Sequence, residues 1–133
     1  MKKHLLIAAL IFAVVGIVSV SSASAQRKVN VRFKPGTSSA TYSGTVAGYA
    51  YVDYVFTAKA GQQIHALLDG NNKAILGVMR NGLRIAEDSV ETREYSGELP
   101  SNGTYIVRVG MMRADARRTK SAIRYSLEIS ITD

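Results

Sequence analysis

One short stretch of the chain concentrates the side chains that could bind a charged partner. It reads Tyr105-x-x-Arg108-Val109-x-x-x-Arg113-x-Asp115-Ala116-Arg117. An arginine guanidinium is planar, stays charged at physiological pH and pairs bidentately with a carboxylate. We therefore expect Arg113 and Arg117 to bind carboxylates, with Asp115 between them holding the segment through a local ion pair. A solvated basic tip without a partner would carry the same residues, so the pattern alone leaves both interpretations open.

The positive charge of the chain is concentrated around the same stretch. Residues 108–124 contain six cations and one anion, Asp115, whereas the other cations and anions after residue 25 are equal in number. A local basic patch of this kind indicates an anionic partner, or an anionic site on a partner.

The residues that most enzymes need are missing from the sequence. His65 is the only histidine after residue 25, and the chain has no cysteine, so neither a thiolate nor a zinc site can be assembled. No Gly-x-Ser-x-Gly or Ser-x-x-Lys motif occurs. The acidic cluster Glu87, Asp88, Glu91 and Glu94 is typical of a solvated loop. The sequence therefore predicts a protein that is not an enzyme and uses no cofactor or metal.

The first 25 residues have the pattern of a secretory signal peptide. Lys2 and Lys3 precede an apolar run from Leu5 to Val18, and Ala23-Ser24-Ala25 supplies the small residues before a cleavage site. The run is shorter than the roughly 20 residues that span a bilayer. We expect cleavage after Ala25, and a single exported domain at 26–133 that is not inserted in the membrane. Nucleic acid is an unlikely partner for an exported protein.

Apolar residues alternate with polar ones along most of residues 26–133, as half-buried strands require. The clearest case has Ile123, Tyr125, Leu127, Ile129 and Ile131 on one face. The same alternation at 52–56, 64–68 and 105–109 predicts further strands, and the apolar segment 74–79 predicts a central one. Together these segments predict an all-β fold, an antiparallel, jelly-roll-like β-sandwich of about eight strands.

Turn residues separate the predicted strands. Asp69-Gly70-Asn71-Asn72 and Asn81-Gly82 are the strongest hairpin signals, because asparagine and glycine tolerate positive φ. No segment after residue 25 shows a helical period, and residues 110–122 do not alternate. We therefore expect 110–122 to be a long basic loop between two strands, which is where binding residues usually lie.

Four blocks of sequence resemble the periplasmic inhibitors of goose-type (g-type) lysozyme. They are Val31-Arg32-Phe33-x-x-Gly36-x-Ser38-Ser39-Ala40-x-Tyr42-Ser43-Gly44, Tyr54-x-Phe56-x-Ala58-Lys59-x-Gly61-Gln62, Leu99-Pro100-x-x-Gly103-x-Tyr105, and the segment from Arg108 to Arg117 with Lys120 and Tyr125 beyond it. The last block is the most specific. The two middle blocks are also similar to prepeptidase C-terminal-type sandwich domains.

The resemblance implies a periplasmic β-sandwich that plugs the substrate cleft of a g-type lysozyme with its basic loop. Its arginines would pair with the catalytic carboxylate, and Tyr105 would stack in a sugar subsite. The implied lysozyme-binding residues are Gly103, Tyr105, Arg108, Arg113, Asp115 and Arg117, with Asn102, Arg118 and Lys120 as additional contacts. Asn102 stands where the family's serine is expected.

Two other classes of function fit the same residues. A carbohydrate-binding or envelope-polymer-binding module of the prepeptidase C-terminal type would also use a basic patch. An envelope assembly protein would associate with itself through a sheet edge. The sequence leaves the oligomeric state open.

Overall fold

The computed structural model describes residues 26–133, which form nine strands and one short helix. The predicted signal peptide lies outside these residues. The elements in chain order are β1 (Gln26–Asn30), β2 (Ser39–Val46), β3 (Tyr51–Ala58), β4 (Gln63–Gly70), β5 (Ala74–Arg80), β6 (Leu83–Arg84), β7 (Glu94–Glu98), β8 (Gly103–Met111), α1 (Arg113–Arg118) and β9 (Ile123–Thr132).

The strands form two sheets that face each other. One has the order β1-β3-β8-β5-β6 and the other has the order β2-β9-β4-β7. Every pairing between the strands of each sheet is antiparallel except β1 with β3, which is parallel. The predicted all-β sandwich is confirmed, with nine strands rather than about eight because the two-residue β6 counts as one.

The core lies between the sheets and is built by the alternation seen in the sequence. Along β9, Ile123, Tyr125, Leu127 and Ile129 are buried, while Arg124 and Glu128 are exposed. A buried hydrogen bond of 2.6 Å joins the hydroxyls of Tyr54 and Tyr125 across the two sheets. Burial raises the pKa of both phenols, because the core disfavours the phenolate.

Strand β5 was expected at the centre of a sheet because it is apolar on both faces. It lies instead beside the two-residue β6, near the edge of its sheet. The segment 85–92 runs beside it, with backbone hydrogen bonds from Leu76 to Thr92 and from Val78 to Ser89, and Val90 packs on the outer face against Gly77. The other outer side chains, Ile75 and Met79, are half-buried and line a groove with Val90.

One of the two predicted hairpins is present. Asn81 and Gly82 both have positive φ, at 53° and 75°, and join β5 to β6 in a two-residue turn. The prediction of a hairpin at Asp69–Asn72 was wrong, since that turn carries the chain from β4 in one sheet to β5 in the other. The side chain of Arg93 holds this turn by donating to the carbonyls of Asn71 and Ala74.

The prediction that residues 110–122 form a loop without helix was also wrong. Residues 113–118 form α1, and their sequence Arg-Ala-Asp-Ala-Arg-Arg is rich in strong helix formers. A helix of six residues is too short to be stable alone. Its stability must come from contacts with the sandwich, through the buried side chain of Ala116.

The sandwich has two ends that matter for the site. The helix end comprises residues 47–50, 70–73 and 112–122, and the turn end comprises 59–62, 80–82 and 99–102. Strand β8 runs from Gly103 at the turn end to Met111 at the helix end. At about 3.3 Å per residue, these two residues are about 26 Å apart.

Candidate functional site

The arginines of α1 form a pair on its solvent face. Arg113 and Arg117 are four residues apart, about one helical turn, so they project from neighbouring positions on the same side of the helix, whereas Ala116 is the buried residue of α1. Both are exposed, and within residues 26–133 no carboxylate lies within ion-pair distance of either. Two adjacent guanidinium groups without a counter-ion are therefore presented to solvent.

The start of α1 breaks the usual rules of helix stability. Met112 occupies the N-cap position and makes no side-chain hydrogen bond to the helix. Arg113 follows, which places a cation at the positive end of the helix dipole. Arg117, four residues on, adds like-charge repulsion. Residues that destabilise the element in which they lie, as Arg113 and Arg117 do here, are expected where those residues serve function.

The helix is tied to the sandwich at its C-terminal side. The Thr119 N–H donates to the carbonyl of Asp115 at 2.8 Å, and Lys73 Nζ, from the turn between β4 and β5, donates to Thr119 Oγ1 at 3.1 Å. The local ion pair expected of Asp115 is not formed, since in the described part of the chain neither Arg113 nor Arg117 bonds its carboxylate. Asp115 contributes through its backbone and its favourable place in the first turn.

Two exposed apolar side chains lie at the same end of the sandwich as the arginine pair. Met112 is 44% exposed and directly precedes α1, and Tyr49 is 62% exposed in the loop between β2 and β3. Tyr49 lines a groove of about 210 Å³ together with Tyr51, Gly110 and Met111. Sequence reasoning missed Tyr49, although an aromatic residue after Gly48 in a short inter-strand loop is a usable signal.

Arg108 is paired within the protein. Its Nε and Nη2 donate to Oδ1 and Oδ2 of Asp53 at 2.7 and 3.0 Å, and its guanidinium carbon lies 3.9 Å from the ring centroid of Tyr51. Asp53 is 1% exposed. Hydrogen bonding of the guanidinium to the Asp53 carboxylate is the main cause of a raised Arg108 pKa. Arg108 therefore neutralises a buried carboxylate and is not a free cation.

Tyr105 is a core residue. It is fully buried, its ring stacks on Phe56 with centroids 5.7 Å apart, and its hydroxyl donates to the Ser101 carbonyl at 2.5 Å. This bond ties the turn before β8, as a tyrosine corner does in other sandwiches. The expectation that Tyr105 stacks in a sugar subsite does not fit this position, because no face of the ring is accessible.

Asn102 and Gly103 also have structural contacts at the turn end. The side-chain Oδ1 of Asn102 accepts a hydrogen bond from the Ala60 N–H, and the backbone carbonyl of Asn102 accepts one from Arg80 Nη2. Gly103 has φ of +149°, and an added Cβ would meet the Arg80 guanidinium at 3.0 Å. The side-chain amide of Asn102 thus links the turn at 99–102 to the turn at 59–62.

The structure therefore divides the predicted site residues into two groups. Arg113, Asp115, Arg117, Arg118 and Lys120 lie together at the helix end, whereas Asn102, Gly103 and Tyr105 lie at the turn end. Arg108 lies between them on β8, nearer the helix end. The residues that the resemblance implies for lysozyme binding therefore lie at two ends of the sandwich, separated by the extended strand β8.

The one histidine among residues 26–133 lies nearer the turn end than the helix end. His65 is on β4, with its Nε2 3.8 Å from Glu94 on β7, and both side chains are partly exposed. Among residues 26–133, no three His, Asp or Glu side chains are grouped to hold a metal ion. The helices of this part of the chain include none with the length and apolarity to cross a bilayer.

Comparison with known proteins shows the family to which this chain belongs. No family model matches the sequence. The chain is 37% identical over 123 residues to an inhibitor of g-type lysozyme from Escherichia coli K12, covering 86% of this chain and 89% of that protein. The chain belongs to the family of g-type lysozyme inhibitors, as its sequence resemblance predicted.

Solved structures give the same result. The crystal structure of a periplasmic inhibitor of g-type lysozyme from Aeromonas hydrophila matches with a TM-score of 0.70 and 31% identity, over 80% of this chain and 97% of that one. The prepeptidase C-terminal domain of a Bacillus anthracis collagenase matches with a TM-score of 0.50 and 11% identity, over 79% and 94%. The second match shows a shared fold alone. The Escherichia coli and Aeromonas hydrophila relatives are named as inhibitors of lysozyme, not as enzymes.

Proposed function

We propose that this protein is a periplasmic inhibitor of a g-type lysozyme and that it inserts its helix end into the substrate cleft. Membership of the inhibitor family, at 37% identity over 123 residues, is the observation that carries the proposal. The geometry supports the helix end because it combines the exposed pair Arg113 and Arg117 with the exposed side chains of Tyr49 and Met112.

The chemistry of a lysozyme cleft suits this surface. Glycosidases of this kind cleave a sugar chain with carboxyl groups that flank the scissile bond. Arg113 and Arg117 would pair with the catalytic carboxylate and its acidic neighbours, in hydrogen bonds that strengthen as water is excluded. Because neither arginine has an ion-pair partner among residues 26–133, neither must break such a pair on binding.

The apolar residues beside α1 would supply the packing. Tyrosine, methionine and arginine are enriched in the buried centres of interfaces. Tyr49 and Met112 would contact the walls of the cleft, while Arg118 and Lys120 would lie at its rim and affect affinity less. Arg108 would act indirectly, because its pair with Asp53 stabilises the pairing of β8 with β3.

The remaining predicted contacts would support the fold. Asn102, Gly103 and Tyr105 fix the turn at the opposite end of β8, and on this proposal they do not touch the lysozyme. Export by a signal peptide at residues 1–25, followed by release of the domain at 26–133, would bring the inhibitor to the periplasm, where its named structural relatives occur.

The test is an assay of lysozyme activity with purified protein. Clearing of a bacterial cell-wall suspension is followed with a g-type lysozyme and, in parallel, with chicken-type and invertebrate-type enzymes. We expect loss of g-type activity alone, near one inhibitor per enzyme. Full activity of all three enzymes would overturn the proposal, and co-sedimentation with purified peptidoglycan would then indicate the envelope-polymer-binding alternative.

A further inference from the structure

One edge of the sandwich is unusually open. Strand β2 forms the outer edge of its sheet, and β9 is the only strand that pairs with it among residues 26–133. It is eight residues long, Ser-Ala-Thr-Tyr-Ser-Gly-Thr-Val, with no charged residue and no proline. Ser39, Thr41, Ser43 and Thr45 are all exposed along it.

The register shows which backbone groups of β2 are available. The Ile131 N–H bonds the Ser38 carbonyl at 2.9 Å, which makes position 38 a hydrogen-bonded partner of β9. Hydrogen-bonded positions recur every second residue in an antiparallel pair. The N–H and C=O groups of Thr41, Ser43 and Thr45 therefore point away from β9, and none of them bonds another part of the described backbone.

The other three sheet edges are protected. Strand β6 has two residues, and β7 has five with an exposed glutamate at each end. Strand β1 has five residues and carries Arg27 and Lys28. Short strands and charged residues are the usual protection against unwanted strand pairing. Only β2, within the described chain, is both long and uncharged, which is the form of an edge that accepts another strand.

Cations flank this edge at both ends. Arg32 and Lys34 line a depression with Ser39 and Thr41, while Arg27 lines another with Thr45. Arg124 is the register partner of Thr45 on β9. Within residues 26–133, none of these four cations lies within ion-pair distance of a carboxylate.

We propose that β2 binds an extended, acidic polypeptide segment of another protein, which adds a strand to the sheet. The backbone groups at 41, 43 and 45 would supply its hydrogen bonds, and the flanking cations would select acidic residues. Antiparallel pairing of β2 with a second copy is disfavoured, because it would bring Arg32 and Lys34 of one protomer next to Arg27 and Arg124 of its partner. The proposal is independent of lysozyme inhibition.

The test uses two labelled peptides of about eight residues, both alternating threonine and valine. One carries glutamates at its ends and the other carries lysines. Binding is measured by fluorescence anisotropy, and the contacted amides are identified by NMR with labelled protein. We expect the acidic peptide alone to bind, and to shift and protect the amides of Thr41, Ser43 and Thr45.

Three variants complete the test. Lys34→Glu should weaken binding of the acidic peptide by about fivefold or more, as charge reversal at a surface site allows. Lys59→Glu makes the same change of charge at the turn end and should leave binding unchanged. Ser43→Pro removes an outward N–H, a change that edge strands tolerate, and should abolish binding while lysozyme inhibition is retained.

The proposal is overturned if neither peptide binds, if both bind equally, or if Lys59→Glu weakens binding as much as Lys34→Glu does. Concentration-dependent self-association in analytical ultracentrifugation, abolished by Ser43→Pro, would also overturn it by making a second copy the occupant.

Discussion

Replacing Arg113 by alanine should separate inhibition from stability. The arginine lies at the positive end of the α1 dipole and one turn from Arg117, and the described chain offers it no counter-ion. Removing the dipole repulsion, about 0.3–1 kcal/mol, and the like-charge repulsion, about 0.2–0.5 kcal/mol, favours the folded state. Alanine is also the better helix former. The free energy of unfolding should therefore stay constant or rise by about 0.5 kcal/mol.

The effect on inhibition should have the opposite sign and be larger. Truncating one partner of a desolvated charge pair costs about 2–5 kcal/mol, which corresponds to a roughly 30-fold to 5,000-fold weaker inhibition constant. Urea unfolding gives the stability, and titration of g-type lysozyme activity gives the inhibition constant. Arg84→Ala, a truncation in β6 that removes an exposed pair with Glu87, is the matched control and should inhibit normally.

Two results would refute this reasoning. If Arg113→Ala inhibits as well as the wild type, the helix-end arginines are not in the interface. If inhibition falls only in proportion to a loss of stability, Arg113 acts by supporting the fold.

Three further predictions follow from the contacts of the core. Arg108→Met removes the guanidinium that pairs with the buried carboxylate of Asp53 and should cost about 3 kcal/mol in the free energy of unfolding, part of which Asp53→Asn should restore in the double variant, as urea melts will show. Tyr105→Phe removes the hydroxyl bonds at the turn end and should cost about 1–2 kcal/mol without changing the inhibition constant; a large loss of inhibition in a folded variant would place Tyr105 in the interface. The contribution of Tyr54 and Tyr125 to stability should be constant below pH 10, the ordinary pKa of tyrosine, and fall above it, because their folded-state pKa values are raised and the unfolded chain loses those protons first. Urea melts between pH 8 and 11 measure this slope, which Tyr54→Phe should reduce.

The sandwich could be predicted from the sequence because its signals are local. The period-2 pattern of β9 requires one buried and one solvated face, and Asn81-Gly82 requires a turn with two positive φ values. The crossing between the sheets at Asp69–Asn72 has no local signal that distinguishes it from a hairpin, because the same turn residues serve both connections.

The helix could not be predicted by periodicity because six residues contain fewer than two turns. Its composition was the available signal, since alanine and arginine both favour helix. The burial of Ala116, and the bond from Lys73 that ties the C-terminal side of the helix to a distant turn, depend on the completed fold.

The position of Tyr105 was available in the sequence. Alternation places it on the same face as Val107 and Val109, which are both buried. The family resemblance implied that Tyr105 contacts the lysozyme, whereas the alternation places its side chain in the core. The structure agrees with the alternation, since Tyr105 is fully buried. Gly103 and Arg113 are close in sequence but distant in space, because extended chain separates residues by more than twice the helical rise.

A double-mutant cycle between Arg117 and the catalytic carboxylate of a g-type lysozyme tests the central claim most directly. Affinities are measured by calorimetry for wild-type inhibitor and Arg117→Ala, each against wild-type lysozyme and a variant with that carboxylate changed to its amide. A direct pair predicts a coupling energy of at least about 1.5 kcal/mol. Effects that add to within about 0.5 kcal/mol would contradict the account, because residues that do not interact show no coupling.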